Sequence, residues 1–231
     1  YLYEGKLGFF YENTENVFRE SVFRIWSPFA EEVMIRFYRD GSEGDAFAVY
    51  EMKRLEKGVW EYRTKEDLHG IYYDFALRID GEVVISTDIC TKACGINGKR
   101  SMAVDLRRTD PDGWDKDEAP ENGTEQVIYE THVKEFSWDP AGGFPEEVRG
   151  KYRAFCCRDT TLHGEGVHPT GLSYLKELGV THVQLMPVYD YGSVDEAGDP
   201  AQFNWGYDPM NWNVPEGSYS SDPARGEVRI R

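Results

Sequence analysis

The sequence contains little that would support contact with a membrane or with a polyanion. Across its 231 residues no apolar run approaches the length that spans a bilayer, and residues 1–5 have neither the basic region nor the apolar core of a signal peptide. Basic residues are scarce, since 26 Lys and Arg stand against 42 Asp and Glu, for a formal net charge of −16. Such a charge repels nucleic acid and anionic membranes, so we expect neither as a partner, whereas a neutral polysaccharide fits.

Cysteine is also sparse, and the four cysteines suggest no framework of disulfides or metal ligands. Cys156 and Cys157 are adjacent and rarely pair with each other, and Cys90 and Cys94 complete no zinc-ribbon spacing. The sequence therefore predicts free thiols in a reducing cytoplasm, with secretion as the alternative if a signal segment lies outside this chain. No cofactor or metal is predicted.

The histidines give a weak metal signal. His163 and His168 flank a Gly-Glu-Gly loop, where a metal is possible, but loop histidines are often incidental. His132 and His182 fall in predicted strands and are expected to be satisfied groups of a core or its rim. We therefore assign no metal ligand.

Residues 1–108 have the pattern of a β-sandwich. Short aromatic and β-branched segments, separated by Gly, Pro and Asp turns, predict strands at 22–26, 33–38, 59–62 and 71–79. Asp80-Gly81 predicts a two-residue hairpin turn into a further strand at 82–85. Trp26 and Trp60 fall within strand patterns and are expected in the core, so no sugar-binding residue is predicted here.

A different pattern begins after a charged, Pro- and Gly-containing stretch at 109–125, which we interpret as a solvated linker pinned by Trp114. From residue 126 onward, the sequence predicts a strand at 127–133, then a helix, then a strand at 181–186. The helix has Leu172, Leu175 and Leu178 at helical spacing and a cap at Gly179. Strand, helix and strand form a crossover unit of a parallel sheet.

The most distinctive stretch is the heptapeptide FNWGYDP at 203–209, which lies on a long loop at 187–223 after the last predicted strand. Tyr and Trp rings have flat apolar faces with a polar edge, as a sugar ring has apolar faces and a rim of hydroxyls. Asn and Asp side chains could bind such hydroxyls. The alternative is a surface turn whose rings cover the edge of a core.

Several segments resemble type I pullulanases, the debranching enzymes of the α-amylase superfamily (glycoside hydrolase family 13). These segments are the opening YLYEG at 1–5, GINGKRSM at 95–102, YETHVKEFS at 129–137, NWGYDP at 204–209 and NWNVPEGSYS at 211–220. The resemblance implies an immunoglobulin-like β-sandwich, a family 48 carbohydrate-binding module at 1–108. It further implies that 126–231 is the truncated first part of a (β/α)8 TIM barrel acting on an α-glucan.

The resemblance also assigns roles to residues of the heptapeptide. Tyr207 would stack on the sugar beside the cleaved bond, and Asp208 would hydrogen-bond that sugar or brace the site. Asn204 and Trp205 would shape the same wall. The catalytic carboxylates come after later barrel strands, so no catalytic residue is predicted in this chain. Calcium is possible in the full enzyme.

Three positions depart from the family pattern. Phe203 replaces a tyrosine, Thr131 replaces a leucine, and Ile89-Cys90 stand where Asp-Pro-Tyr would continue. These changes affect packing more than chemistry. One alternative is a stand-alone carbohydrate-binding protein. The other is a fragment of an isoamylase- or branching-type enzyme, and the 204–209 motif disfavours this second alternative.

An incomplete barrel has a physical consequence. Two barrel strands would leave an open edge and an uncovered apolar face, which favours self-association or loose packing of residues 127–231.

Overall fold

The computed structural model describes residues 2–13, 19–121 and 123–231. Tyr1 of the predicted opening and Asn122 of the predicted linker lie outside the described residues. The strands of the first part of the chain, which we call the module (residues 2–108), are β1 (Gly8–Asn13), β2 (Arg19–Trp26), β3 (Glu32–Tyr38), β4 (Ala48–Glu51), β5 (Lys53–Arg54), β6 (Val59–Thr64), β7 (Tyr72–Ile79), β8 (Glu82–Ser86) and β9 (Ser101–Met102).

These strands form two antiparallel sheets. One sheet has the order β1-β2-β6-β5, and the other has the order β4-β3-β7-β8 with β9 paired to one end of β7. The register pairs Phe23 with Tyr62 in the first sheet and Ile35 with Phe75 in the second. The β-sandwich predicted from alternation and turn residues is therefore confirmed in outline, whereas β1, β4, β5 and β9 were not predicted.

Aromatic side chains dominate the core between the sheets. Phe23 from one sheet packs edge-on against Tyr73 from the other, with ring centroids 4.8 Å apart. The Tyr73 hydroxyl donates a hydrogen bond of 2.7 Å to the buried Asp88, which satisfies the polar end of this ring. The other buried members of the cluster are Ala30, Val33, Ile35, Phe37, Met52, Trp60, Leu68, Phe75, Leu77 and Ala103.

Three local expectations in the module were tested by the structure, and two of them are confirmed. Asp80 and Gly81 both have positive φ, at 51° and 79°, and connect β7 to β8 as the predicted hairpin turn. Trp60 is buried as expected. Trp26 was expected in the core but is 43% exposed, because strand alternation directs Phe23 inward and Trp26 to the other face. Its indole Nε1 donates to the Lys57 carbonyl oxygen at 3.0 Å.

The stretch after the module is exposed to solvent. All described residues from 110 to 125 are exposed, whereas Thr109, the first residue of the predicted linker, is buried. Trp114 was expected to pin this stretch to one of the domains, but it is 58% exposed and has no such role.

The second part of the chain, which we call the C-terminal segment (residues 126–231), contains the predicted strand–helix–strand unit. Strand β10 (Ile128–Thr131) and strand β11 (His182–Leu185) pair in parallel, and helix α1 (Gly171–Glu177) lies between them in sequence. Gly179 comes after the helix with a φ of 79°, the left-handed conformation that often ends helices.

A hairpin that the sequence did not predict lies after this unit. It consists of β12 (Tyr189–Tyr191) and β13 (Pro209–Pro215). Val133, Tyr191, Val194 and Tyr219 form a buried cluster beside it. Short 3₁₀ helices fill many of the remaining connections of the chain, at Glu56–Gly58, Ile96–Gly98, Leu106–Arg108, Trp114–Lys116, Pro140–Gly142, Glu146–Val148, Tyr152–Cys156, Leu162–Gly164, Gly217–Tyr219 and Gly226–Arg229.

The two-stranded parallel sheet is exposed, as the sequence predicted for an open sheet. Among the described residues β10 pairs only with β11, and apolar side chains on both strands contact solvent: Ile128, Tyr129, Val183 and Leu185. A sheet with such a surface can accept further strands or packing elements.

Two further observations concern chemistry and membranes. All four cysteines are free thiols, as predicted. Within the described parts of the chain, we find no helix with the length and apolar composition needed to cross a bilayer.

Candidate functional site

The predicted sugar-binding heptapeptide lies between the two strands of the β12–β13 hairpin. We call residues 199–208 the motif loop. At its tip, Trp205 and Tyr207 are 61% and 67% exposed. The flat faces of these two rings are therefore available for stacking on a ligand.

The polar residues of the motif hold the loop in shape. Asn204 donates from Nδ2 to Asp208 Oδ1 at 2.9 Å, and its Oδ1 accepts from the backbone N–H of Gly206 at 2.8 Å. Asp208 accepts a second, short hydrogen bond from the Ser193 hydroxyl. The sequence left two roles open for Asp208, a hydrogen bond to the sugar or bracing of the site. The two hydrogen bonds that Asp208 accepts within the protein fit bracing of the loop.

A glycine is required at position 206. Its φ is +86°, and a Cβ atom there would lie 2.6 Å from the Pro187 carbonyl oxygen. The close approach of the motif loop to the end of β11 therefore depends on Gly206.

Two more exposed rings lie on the same hairpin and were not predicted as site residues. Tyr189 and Trp212 have ring centroids 6.1 Å apart at an interplanar angle of 48°. Alternation in β13 was a signal only for its first half, because Met210 and Trp212 are exposed on either side of the buried Asn211. Asn213 is also exposed and Val214 is buried, which breaks the alternation.

A buried cluster of charges lies beneath the hairpin. The guanidinium of Arg229 donates to Asp190 Oδ1 at 2.9 Å and to Glu196 Oε1 at 2.7 Å, and these three side chains are almost completely buried. Asp190 also accepts from Asn211 Nδ2 at 2.7 Å. The sequence analysis did not predict this buried cluster.

The same cluster joins the C-terminal segment to the module. Arg229 donates to the carbonyl oxygen of Gly95 at 2.9 Å. Asn97 and Glu196 bond reciprocally, since the Asn97 N–H donates to Glu196 Oε2 at 2.7 Å and the Glu196 N–H donates to Asn97 Oδ1 at 2.8 Å. Tyr72 of β7 adds a contact, because its hydroxyl donates to the Ala224 carbonyl oxygen at 2.9 Å.

A third carboxylate, Glu216, completes the acidic group. Oxygens of Asp190, Glu196 and Glu216 lie within 4.8 Å of one another, the arrangement that could hold a cation. Arg229 already supplies a positive charge to two of them, so we assign no metal. Burial raises the pKa of Glu216 to about 7, and the neighbouring charge of Glu196 adds to this rise.

His168 and His132 have hydrogen-bond partners within the protein. His168 Nδ1 lies 2.9 Å from Glu165 Oε1, which gives the exposed pair a local role rather than a metal-ligating one. His132 is buried, as predicted, with its Nε2 atom 2.8 Å from the Asn204 carbonyl oxygen.

Comparison with known proteins finds similarity to a carbohydrate-binding module family and to debranching enzymes. Residues 6–90 match the family model of carbohydrate-binding module 48 (isoamylase N-terminal domain). The chain is 36% identical over 231 residues to a pullulanase of Bacillus subtilis (strain 168), an alignment that covers 99% of this chain and 30% of that protein. A glycogen debranching enzyme of Enterobacter sp. (strain 638) is 27% identical, with 90% of this chain and 34% of that protein covered.

Solved structures show the same similarity. A pullulanase from Paenibacillus barengoltzii, solved in complex with maltohexaose and alpha-cyclodextrin, superposes with a TM-score of 0.91 and 39% identity over 99% of this chain and 35% of that one. A pullulanase from Bacillus acidopullulyticus has a TM-score of 0.89 and 38% identity over 100% of this chain and 27% of that one. The chain thus spans about a third of the length of these proteins and is similar to an N-terminal, module-bearing region of pullulanases and debranching enzymes.

Proposed function

We propose that this chain is the N-terminal part of a type I pullulanase-like debranching enzyme of the α-amylase superfamily. The whole protein would hydrolyse α-1,6-glucosidic links in pullulan, limit dextrin or glycogen, with retention of the anomeric configuration. The observation that supports this most is the motif loop, because it exposes Tyr207 and Trp205 on a braced turn after a parallel strand. Ligands of α/β barrels bind at the loops after such strands.

The fold and site residues are interpreted under this proposal. The β10–α1–β11 unit would be the first of a (β/α)8 barrel, and its exposed apolar surface would be covered by later elements. Tyr207 would stack on the sugar beside the cleaved bond, with Trp205 forming the adjacent wall and Asn204 and Asp208 holding the loop. The catalytic carboxylates would come from later strands. The free thiols are consistent with a cytoplasmic location, which belongs to this proposal.

A second candidate function is supported by the family match of residues 6–90, which favours a carbohydrate-binding protein without catalytic activity. The two candidates differ in the coding sequence that the gene carries downstream of residue 231. An open reading frame that encodes the remaining barrel strands favours the enzyme, and a stop codon favours the binding protein.

Substitution of the stacking residue tests the enzyme directly. In the longer protein, Tyr207→Ala should lower kcat/KM on pullulan roughly tenfold or more, because ring stacking and apolar burial on the sugar face are lost. Tyr207→Phe should restore most of the activity, since the ring remains. Phe29→Ala is a matched control, because Phe29 is a similarly exposed aromatic residue on the module. Unchanged kinetics for Tyr207→Ala would remove this residue from the site.

A further inference from the structure

Two side chains at the end of β10 bind the backbone of the motif loop. His132 and Lys134 come directly after the strand and are buried. The Lys134 ammonium donates to the Pro200 carbonyl oxygen at 2.6 Å and, in a shorter bond, to that of Gln202. His132 Nε2 reaches the carbonyl oxygen of Asn204 at 2.8 Å. Three alternate carbonyl groups of the loop are thus bound from one strand end.

The hydrogen bonds around His132 determine which nitrogen carries the proton. The backbone N–H of Lys134 points at Nδ1 from 3.2 Å, so Nδ1 is the acceptor. Nε2 must therefore carry the proton, and it can donate to the Asn204 carbonyl oxygen at 2.8 Å and to the Tyr219 hydroxyl oxygen at 2.9 Å. Phe203 packs on the same imidazole with a centroid distance of 4.7 Å, which fixes the plane of the ring.

Lys134 is unusual because it is only 6% exposed and has no carboxylate in ion-pair contact within the described parts of the chain. Its ammonium lies 4.3 Å from the centroid of the Trp138 ring, and its hydrogen bonds go to carbonyl oxygens. Burying a charge costs free energy unless it is well hydrogen-bonded. A lysine with these contacts is best explained by the loop that it holds.

The exposed rings depend on this backbone for their positions. Trp205 and Tyr207 are mostly exposed and are therefore not fixed by packing. The Asn204 side chain connects the bound part of the loop to Gly206 and Asp208 through hydrogen bonds. We infer that His132 and Lys134 are positioning residues that hold the sugar-stacking rings of the motif loop in place from the end of β10. The role of the rings in this inference rests on the proposed function. The hydrogen bonds from His132 and Lys134 to the motif loop, which we call the clamp, do not depend on it.

Hydrogen exchange tests the clamp without any sugar. In the 231-residue chain, Lys134→Met should speed exchange of the Gln202 and Gly206 backbone amides, which donate hydrogen bonds within the motif loop, about tenfold, because a charged hydrogen-bond donor to the loop is lost. Lys134→Arg should restore most of the protection. Lys151→Met is the matched control, since Lys151 is another partly buried lysine and its ammonium donates to Ser218, outside the loop, at 2.7 Å.

The outcomes distinguish a Lys134 that positions the motif loop from a Lys134 that only stabilises the core. Faster exchange confined to the motif loop supports the inference. Unchanged loop exchange in a folded Lys134→Met overturns it. If Lys134→Met does not fold, Lys134→Gln replaces it, and a uniform loss of protection across residues 127–231 in Lys134→Gln also overturns the inference.

A double-mutant cycle in the longer protein then connects the clamp to the substrate. If Lys134 acts through the rings, the double variant Lys134→Met/Tyr207→Ala should lose no more kcat/KM on pullulan than Tyr207→Ala alone. Additive losses would contradict this coupling. If Tyr207→Ala has no effect, the proposed function fails, while the exchange experiment still decides on the clamp.

Discussion

Arg229→Met is expected to lower the free energy of unfolding of the chain by about 3–5 kcal/mol, the usual cost of removing one partner from a buried ion pair. Methionine keeps much of the side-chain volume, but Asp190 and Glu196 then remain buried without their cation. The Gly95 carbonyl oxygen also loses a donor, which weakens the contact between the module and the C-terminal segment.

Urea denaturation monitored by fluorescence and by far-UV circular dichroism measures this effect. Arg225→Met is the control, because Arg225 is an exposed arginine on the same turn of chain whose ion pair with Glu227 lies at the surface, and little change is expected there. A loss below about 1 kcal/mol for Arg229→Met would show that the buried cluster does not hold the two parts together.

The 231-residue chain alone is expected to release no measurable reducing ends from pullulan, many orders of magnitude below the longer protein. Glycoside hydrolysis requires two carboxyl groups on opposite sides of the bond. The carboxylates in the motif loop already have partners, since Asp208 accepts from Asn204 and Asp199 accepts from the Ala201 N–H. Arg229 binds Asp190 and Glu196 on the same hairpin. Each tenfold of rate corresponds to about 1.4 kcal/mol of barrier, so the loss of both catalytic groups removes ordinary turnover.

A reducing-sugar assay on the purified chain, with the longer protein run beside it, measures this difference. Turnover of pullulan by the short chain at an ordinary enzymatic rate would contradict the proposal that the catalytic groups lie on later strands.

Local patterns predicted much of the fold. Alternation indicated β7, the Asp80-Gly81 pair indicated its hairpin, and leucines at helical spacing indicated α1. These features depend on residues close in sequence, where side-chain period and turn geometry are the deciding physics. Trp26 was misplaced although the same alternation from Phe23 places it on the outer face.

The contacts that join distant segments could not be predicted from sequence. Asn97 meets Glu196 across 99 positions, and Arg229 meets Gly95 across 134. In a chain with 42 acidic residues, nothing in a single sequence indicates which carboxylate will be buried with which arginine. The hydrogen bonds of Lys134 could not be predicted either, because they go to backbone carbonyl groups, which every residue has.

The motif itself was recognisable because its chemistry is local. The Asn204 side chain forms hydrogen bonds with both Gly206 and Asp208 over a short stretch, and the exposed rings lie between them. The β12–β13 hairpin that presents them was missed, since β12 has only three residues and the pairing is irregular in register.

The most direct test of the proposed function is a linkage analysis of the products that the longer protein releases from pullulan, in which maltotriosyl units are joined by α-1,6 links. We predict maltotriose as the end product, with every α-1,6 link cleaved and the α-1,4 links intact. Products that retain α-1,6 links, or no products at all from a folded protein with a complete barrel, would contradict the proposal that this chain begins a debranching enzyme.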